Sequence, residues 1–310
     1  MATQPATRIG FDIGGSKLAV VALDRDGNEV GRDRCPVPRA YDATIDAVVA
    51  MTERWEQAAE GAPTVGIALP GMIGAAGDLV RMVNLPWLEG RPLRPDLERR
   101  LGRPVAIAND ANCFALSEAV DGAAAGAAVV FGVILGTGVG GGIVVAGRVI
   151  AGANAIAGEW GHNPLPDVDA SVGPAQICGC GRRGCIETWL NGAALARDYC
   201  MTSGTGAEVD AKEVARLADH GDNVAQGAIQ RYARRLAAAL AEIINVLDPD
   251  VIVLGGGLAS IDSLYEQVPG AWSEFCVAPQ PRTRLVRARY GPESGLRGAA
   301  WLGATGEGRA

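Results

Sequence analysis

Hydrophobic and polar positions along the chain alternate between short apolar runs and amphipathic stretches. Apolar runs bounded by turn residues predict strands within 9–30, 64–70, 105–108, 129–150 and 251–254. Apolar residues at helical spacing predict helices over 44–59, 95–101, 211–217, 223–247 and 295–302, and a helix rich in small residues that ends at Ala125. With 310 residues, this α/β chain is long enough to form two lobes, each with its own core.

Two strand–turn–strand segments, about 120 residues apart, share a pattern that looks like an internal duplication. Each has a glycine turn between apolar strands, and backbone amides at such a turn can approach phosphate oxygens because no Cβ intervenes. The candidate nucleotide-binding residues are Asp12, Gly14, Gly15, Ser16 and Lys17 in the first segment and Gly136, Thr137 and Gly138 in the second. Alone, the first segment fits an ordinary hairpin equally well. The second copy favours two lobes whose turns face one cleft and bind one polyphosphate.

Two further strand ends carry candidate chemistry. Asp110 follows the strand that ends at Ala108, where open α/β sheets bind their ligands, but an aspartate there equally fits a helix cap. The strand 251–254 leads into Gly255, Gly256 and Gly257. These glycines can admit an adenine ring or a ribose close to the backbone, or they form a plain loop. Trp87, in a loop with Asn84, fits either core packing or the wall of a sugar pocket.

A cluster of metal-ligand residues lies between 158 and 187. Cys178, Cys180 and Cys185 fall within eight residues separated by glycines, and His162 lies sixteen residues before the first of them. Three thiolates and one imidazole complete the tetrahedral set of a closed structural zinc site. The alternatives are a redox disulfide or unrelated thiols. Glu159 and Glu187 flank the cluster without being needed as ligands, which suggests a binding site stiffened by metal.

Charge and composition exclude several kinds of partner. The formal net charge of −7 gives no basic face for nucleic acid. The most apolar region, 129–145, is interrupted by six glycines, so we expect no membrane span. Seven cysteines, an odd number, and the lack of a signal-peptide pattern lead us to expect a cytoplasmic protein.

Four motifs together resemble the ROK family, which comprises repressors, open reading frames and sugar kinases. They are the sequences DIGGSK at 12–17, LGTG at 135–138, EWGH at 159–162 and CGCGRRGCIE at 178–187. The resemblance covers nearly the whole chain and implies the actin-like ATPase fold, with two RNase-H-like lobes and ATP and sugar in an interlobe cleft. One departure is Ser16, where the family usually has threonine, and the hydroxyl is retained.

The resemblance also implies roles for individual residues. Asp110 matches the catalytic base. The positions that match sugar contacts are Asn109, Asp110, Glu159, His162 and Glu187, with Gly71 and Asn84 as weaker matches. His162 is implied both as a sugar contact and as a zinc ligand. The implied cofactors are ATP, Mg²⁺ and structural Zn²⁺.

Within the family, the run NDANCFALSEAVDGAAAGA at 109–127, together with EWGHNPLP at 159–166, is most similar to the bacterial fructokinase, or manno(fructo)kinase, branch. The N-acetylglucosamine kinase branch is also similar, since it shares NDANCFALSEA at 109–119 and LGTGVGGG at 135–142. We rank first an ATP-dependent hexose kinase that converts D-fructose to fructose 6-phosphate and also accepts mannose or glucose. The alternative is an N-acetylglucosamine or N-acetylmannosamine kinase. A sugar-responsive repressor ranks far behind, because the first strand already starts at Ile9 and leaves no room for a preceding DNA-binding helix-turn-helix.

The family also sets the expected organisation. We expect a small N-terminal lobe over 1–120, against which a C-terminal helix at about 296–310 packs, and a large lobe over 121–295 that carries the zinc loop. By analogy with relatives, we expect a homodimer.

Overall fold

The fold is described from a computed structural model that covers residues 5–57, 59–74, 79–82, 84–167, 173–204 and 209–305. The chain separates into two compact units. Unit 1 comprises 1–126, 142–158 and 292–310, and unit 2 comprises 127–141 and 159–291. The chain passes from one unit to the other four times, and a glycine lies at each of these boundaries: Gly126, Gly141 with Gly142, Gly158 and Gly291.

The first sheet has five strands in the order β3-β2-β1-β4-β7. Their bounds are β1 Ala6–Ile13, β2 Lys17–Leu23, β3 Glu29–Pro36, β4 Ala59–Leu69 and β7 Val105–Asn109. The hairpins β1–β2 and β2–β3 are antiparallel, while β4 runs parallel to both β1 and β7. A small hairpin, β5 Gly71–Ile73 with β6 Leu79–Met82, follows β4.

Helices cover this sheet because their apolar faces match its buried strands. They are α1 Tyr41–Glu56, α2 Leu93–Leu101, α3 Asp110–Val120 and, from the C-terminal part of the chain, α9 Ser294–Thr305. The last packs on α3, β1 and β4. Contact is close enough to require glycine: a Cβ on Gly298 would lie 1.7 Å from the Cys113 carbonyl oxygen, and one on Gly66 1.9 Å from that of Ala299.

The second sheet has the order β10-β9-β8-β11-β12. Its strands are β8 Val129–Leu135, β9 Val139–Val145, β10 Arg148–Val149, β11 Val251–Gly255 and β12 Arg284–Arg287. The central strands β8 and β11 are parallel, and β11 is buried along its whole length. The chain passes from unit 2 into unit 1 in the middle of β9.

The helices of unit 2 are α4 Glu187–Leu190, α5 Gly192–Ser203, α6 Ala211–Asp219, α7 Asn223–Leu247 and α8 Leu264–Ala271. A buried ionic cluster joins α5 to α7, because Asp198 accepts hydrogen bonds from both Arg231 and Arg235. The apolar stripe of α7 includes Ile229, Tyr232 and Leu236, which are buried as predicted.

The α/β class, with two sheets and covering helices, is confirmed, and most boundaries fall within a few residues of the prediction. One helix is shorter than expected: α3 ends at Val120 rather than Ala125. Glu118 causes the stop, since its carboxylate accepts the backbone N–H of Ala123 and leaves no room for a Cβ on Gly122. The predicted helix 295–302 corresponds to α9, whereas 306–310 lie outside the described residues. No helix among the described residues is long and apolar enough to cross a membrane.

Candidate active site and metal centre

The turn between β1 and β2 carries the first group of predicted nucleotide-binding residues. It is closed by a hydrogen bond from the Gly14 backbone N–H to the Lys17 carbonyl, 2.9 Å. Gly15 lies against Asn84, whose backbone is left-handed with φ 61°, and a Cβ on Gly15 would be 2.9 Å from the Asn84 Cβ. The turn is therefore fitted to the loop that carries a predicted sugar-contacting residue.

A cavity of about 560 Å³ opens beside this turn. It is lined by Gly15, Ser16, Arg39, Asn84, Pro86 and Trp87. Trp87 packs against the unit 1 core and also lines this cavity, while its role in a sugar pocket stays a prediction. Its indole Nε1 donates to the Thr44 hydroxyl at 3.3 Å, which fixes the ring in the wall. Arg39 also lines this cavity, and it could not be predicted from sequence because no local motif marks it.

Asp12 is the last polar residue of β1 and is mostly buried. Burial raises its pKa above the ordinary value, while the charge of Lys17 opposes that shift. Asp12 and Asp110 both act electrostatically on the Cys113 thiol, whose pKa is raised mainly by complete burial. The two predicted carboxylates of unit 1 therefore lie near the same buried thiol.

The end of β7 and the start of α3 present the predicted base. Asn109 is the helix cap, because its side-chain oxygen accepts the Ala111 N–H at 2.8 Å. Its amide nitrogen donates to the Gly71 carbonyl at 3.1 Å and so holds the loop after β4. Asp110 is the first residue of the helix and also accepts the Ala111 N–H at 2.8 Å, so the capping alternative describes part of its role. In unit 1 the structure thus brings together Asn109, Asp110 and Gly71.

In unit 2, the turn between β8 and β9 contains the second group. The Gly136 N–H donates to the Gly138 carbonyl at 3.0 Å, and the Gly136 carbonyl accepts the N–H of Gly192, the first residue of α5, at 2.8 Å. Gly136 and Thr137 line a cavity of about 1650 Å³, whose other walls come from α5, α6 and the segment that begins at Gly257.

The predicted glycines Gly255, Gly256 and Gly257 lie at the end of β11 and directly after it, and the last of them reaches the same cavity of unit 2. Gly256 has φ 81°, and a Cβ on it would lie 2.3 Å from the Leu135 carbonyl oxygen, so only glycine fits. Gly257 lines the large cavity together with Gly136 and Thr137. Gly255 is the last residue of β11 and is buried, so it supports the turn without lining that cavity.

The predicted metal ligands form one cluster. The ligand atoms of His162, Cys178, Cys180 and Cys185 all lie within 4.8 Å of one another. His162 Nδ1 is 3.4 Å from Cys178 Sγ, and Cys180 Sγ is 3.6 Å from Cys185 Sγ. A tetrahedral zinc with about 2.3 Å bonds to sulfur puts sulfur ligands about 3.8 Å apart and sulfur and nitrogen about 3.6 Å apart. The donor set and its spacing therefore fit Zn²⁺.

Backbone hydrogen bonds hold the cluster in shape. The Cys178 N–H donates to the Arg182 carbonyl at 2.8 Å, and the Gly181 N–H donates to the Cys178 carbonyl at 2.8 Å. The backbone and side chain of Arg182 lower the pKa of Cys180 to about 6, whereas burial raises that of Cys178 to about 12. No disulfide joins these cysteines.

Both flanking acids contact the cluster. Glu159 Oε2 lies 3.7 Å from His162 Nε2, the ring nitrogen turned away from the sulfurs. A carboxylate at this nitrogen fixes the orientation of a metal-binding imidazole. Glu187 lies between the cluster and the turn of unit 2: its Oε1 accepts from Cys178 Sγ at 3.4 Å, and its Oε2 accepts the Val139 N–H at 3.1 Å.

Trp160 is a residue that the sequence analysis quoted within a motif without giving it a role. It begins the 3₁₀ turn Trp160–His162, is buried, and donates from Nε1 to the Gly140 carbonyl at 3.1 Å. Its ring packs edge-on against Phe131, with 5.6 Å between centroids. Its position two residues before the candidate metal ligand His162 could have marked Trp160 as part of the site. Its hydrogen bond to Gly140 of β9 could not be predicted, because it depends on how distant segments meet in the fold.

The matches with known proteins agree with this geometry. A sequence profile of the ROK family matches residues 8–305. The N-acetyl-D-glucosamine kinase of Photobacterium profundum is 40% identical over 299 residues, which is 94% of this chain and 98% of that protein. The crystal structure of the ROK hexokinase from Thermus thermophilus has 34% identity and a TM-score of 0.84, covering 96% of this chain and 98% of its own. That of a ROK glucokinase from Streptomyces griseus with glucose and AMPPNP has 28% identity and a TM-score of 0.75, covering 96% and 99%.

The chain therefore belongs to the ROK family, and its place is among the sugar kinases of that family. The actin-like ATPase fold that the motifs implied is consistent with these matches.

Proposed function

We propose that the protein transfers a phosphoryl group from ATP to N-acetyl-D-glucosamine. The observation that carries this choice is the 40% identity to N-acetyl-D-glucosamine kinases of Photobacterium profundum and Escherichia coli, over 94% of this chain. The ranking in the sequence analysis is revised accordingly. The N-acetylhexosamine alternative moves ahead of fructose because of this identity along nearly the whole chain.

In the proposed reaction, Asp110 accepts the proton of the sugar hydroxyl that attacks the γ-phosphorus of ATP. A bond forms between that oxygen and phosphorus, and the bond from phosphorus to the bridging oxygen breaks to release ADP. A carboxylate is needed because a sugar hydroxyl is a poor nucleophile. Asn109 supports Asp110 from the adjacent position, since its two hydrogen bonds fix both the helix start and the Gly71 loop.

The glycine turns supply donor binding in this proposal. Backbone amides at 14–17 and 136–138 approach the phosphates, and Lys17 adds a positive charge. Asp12, directly or through water, would hold Mg²⁺, which when bound would supply positive charge to neutralise the phosphates. Asp12 is suited to binding this cation, because burial raises its pKa and a nearby positive charge stabilises the ionised carboxylate.

The acceptor pocket combines carboxylates, amides and an imidazole. The proposed sugar contacts are Gly71, Asn84, Asn109, Glu159, His162 and Glu187. Their donors and acceptors select a sugar through its hydroxyl pattern. Cys178, Cys180, Cys185 and His162 would hold zinc, which when bound would supply rigidity rather than chemistry, because four protein ligands complete a tetrahedral set.

A panel of sugars tests this function directly. ADP production is measured in a coupled assay with N-acetylglucosamine, N-acetylmannosamine, glucose, mannose and fructose. We expect kcat/KM for N-acetylglucosamine to exceed that for glucose, mannose and fructose by about tenfold or more, because a pocket that hydrogen-bonds the N-acetyl group discriminates against sugars that lack it. N-acetylmannosamine carries the same group and is expected to rank second. A higher value for glucose would favour a plain hexokinase, the second candidate, which the 34% identity to the Thermus thermophilus enzyme supports. The homodimer and the cytoplasmic location stay predictions.

A further inference from the structure

The two residues that follow the β8–β9 turn are held by the metal-binding segments. Val139 donates its N–H to Glu187 Oε2 at 3.1 Å, and the Gly140 carbonyl accepts from Trp160 Nε1 at 3.1 Å. A third contact is steric, since a Cβ on Gly161 would lie 2.2 Å from the Val139 carbonyl oxygen. The first two residues of β9 are therefore contacted by three residues from outside the β8–β9 hairpin: Glu187, Trp160 and Gly161.

Those groups are tied to metal ligands along the chain. Trp160 and Gly161 form one 3₁₀ turn with the ligand His162. Glu187 comes two residues after the ligand Cys185, and the intervening Ile186 is buried and donates its N–H to the Asn163 carbonyl at 2.8 Å. A metal that joins His162 to Cys185 thereby fixes both segments that contact Val139 and Gly140.

The turn itself has little internal support. Within residues 136–138, one backbone hydrogen bond links Gly136 to Gly138, and the Gly192 N–H holds the Gly136 carbonyl from the side of α5. Glu187 also approaches so closely that a Cβ on Gly138 would lie 2.8 Å from its Oε2. Besides the pairing of β8 with β9, the turn is therefore held by Glu187 and Trp160 at one end and by Gly192 at the other.

We propose that the metal centre orders the β8–β9 turn at 136–138, the proposed binding site for the phosphates of ATP. Glu187 and Trp160 transmit this ordering, so that metal occupancy controls nucleotide binding as well as sugar binding. Both side chains are positioning residues in this role. The part that concerns nucleotide rests on the proposed kinase function, whereas the ordering of the turn does not.

Hydrogen–deuterium exchange of the ligand-free protein tests the ordering. Glu187→Ala and Trp160→Phe in metal-loaded protein are each expected to raise amide exchange in the peptide that covers 134–141 by about tenfold, the order of one lost hydrogen bond to a charged or buried partner. Stripping the metal from the wild type is expected to do the same. Peptides from β1 and β11 serve as internal references and should keep wild-type exchange.

Two matched variants separate this role from general damage. Trp189→Phe makes the same change in another buried tryptophan near the cluster, whose Nε1 has no hydrogen-bond partner among the described residues. Glu159→Ala removes the other flanking carboxylate. Both are expected to leave exchange at 134–141 unchanged once metal content, measured by mass spectrometry, equals that of the wild type. Glu187→Gln, which keeps an oxygen able to accept the Val139 N–H, should fall between wild type and Glu187→Ala.

Calorimetric titration with Mg²⁺ and a non-hydrolysable ATP analogue, without sugar, tests the consequence. Metal removal should weaken nucleotide binding about tenfold in the wild type and less than twofold in the double variant that combines Glu187→Ala with Trp160→Phe, since both links from the metal to the turn are then already lost. Wild-type exchange at 134–141 in both Glu187→Ala and Trp160→Phe would overturn the proposal. Equal losses of nucleotide affinity on metal removal in the wild type and in this double variant would also overturn it. Failure to phosphorylate N-acetylglucosamine would refute the proposed function and leave the exchange result standing.

Discussion

Single carboxylates in unit 1 differ in how they are held, and this difference fits different roles. Asp12 is mostly buried beside Lys17, and burial raises its pKa. Asp110 lies at a helix start, where its side-chain oxygen accepts the Ala111 N–H at 2.8 Å. A carboxylate fixed at the start of a helix is suited to the proposed role of proton acceptor, whereas the mostly buried Asp12 is suited to binding a cation.

Asp110→Asn is predicted to lower kcat at least about a thousandfold, within the range that positioned general bases contribute. The amide keeps an oxygen that can accept the Ala111 N–H, so the unfolding midpoint should stay close to the wild type. Steady-state kinetics and calorimetry with N-acetylglucosamine separate the two effects. Near-normal turnover in this variant would remove Asp110 from the mechanism.

Asp12→Asn is predicted to stabilise the free protein and to weaken Mg²⁺-dependent nucleotide binding by about tenfold or more. Because burial raises the folded-state pKa of Asp12 above its ordinary value of 3.8, the wild type loses stability as pH rises through the interval between those values. The advantage of the variant should therefore grow with pH over that interval and then stay constant. Denaturant melts from pH 3.5 to 7 measure it, and a variant that is less stable at pH 7 would contradict the argument.

At the scale of elements, helix α9 is fitted to unit 1 by glycines rather than by large side chains. Gly298 packs against the Cys113 carbonyl on α3, and Gly66 of β4 packs against Ala299. Backbone-to-backbone contact of this kind lets α9 approach the sheet and α3 together. The same helix thus supports the element that begins with Asp110.

Gly298→Ala is predicted to destabilise the fold by about 3 kcal/mol, the upper part of the range for overpacking, because the new methyl group meets backbone that cannot rotate away. Gly270→Ala is the matched control: it is also helical, and a Cβ there has no heavy atom within 4 Å. That control should be neutral or stabilise by up to about 1 kcal/mol. Equal unfolding midpoints in denaturant would refute the close-packing account.

At the scale of the whole chain, metal removal is predicted to lower both thermal stability and sugar affinity. The cluster closes the segment 162–185, and His162 and Glu187 are proposed sugar contacts attached to it. Thermal melts and sugar titrations of stripped and reloaded protein measure both properties. An unchanged melting temperature and sugar affinity in zinc-free protein would show that metal binding stabilises neither the fold nor the proposed sugar contacts.

Much of the fold was readable from sequence because its strands are apolar runs that end at glycines. Strand β11 and helix α7 are examples, and the four candidate metal ligands do converge as their spacing predicted. Contacts between distant segments were not readable. Asn84 against Gly15 and Trp160 on Gly140 depend on how the backbones meet, and no local pattern encodes that. The choice of sugar was not readable either, since the run at 109–119 resembles more than one branch of the family.

The complete burial of Cys113 makes the alkylation rate of its thiol a measure of local opening. This thiol has no exposed surface, and burial raises its pKa, which keeps it protonated and unreactive while the structure around α3 stays closed. An alkylating reagent can reach it only when the packing around it opens. The labelling rate of this one cysteine, followed by peptide mass spectrometry, therefore reports how often the helix that begins with Asp110 loses its packing.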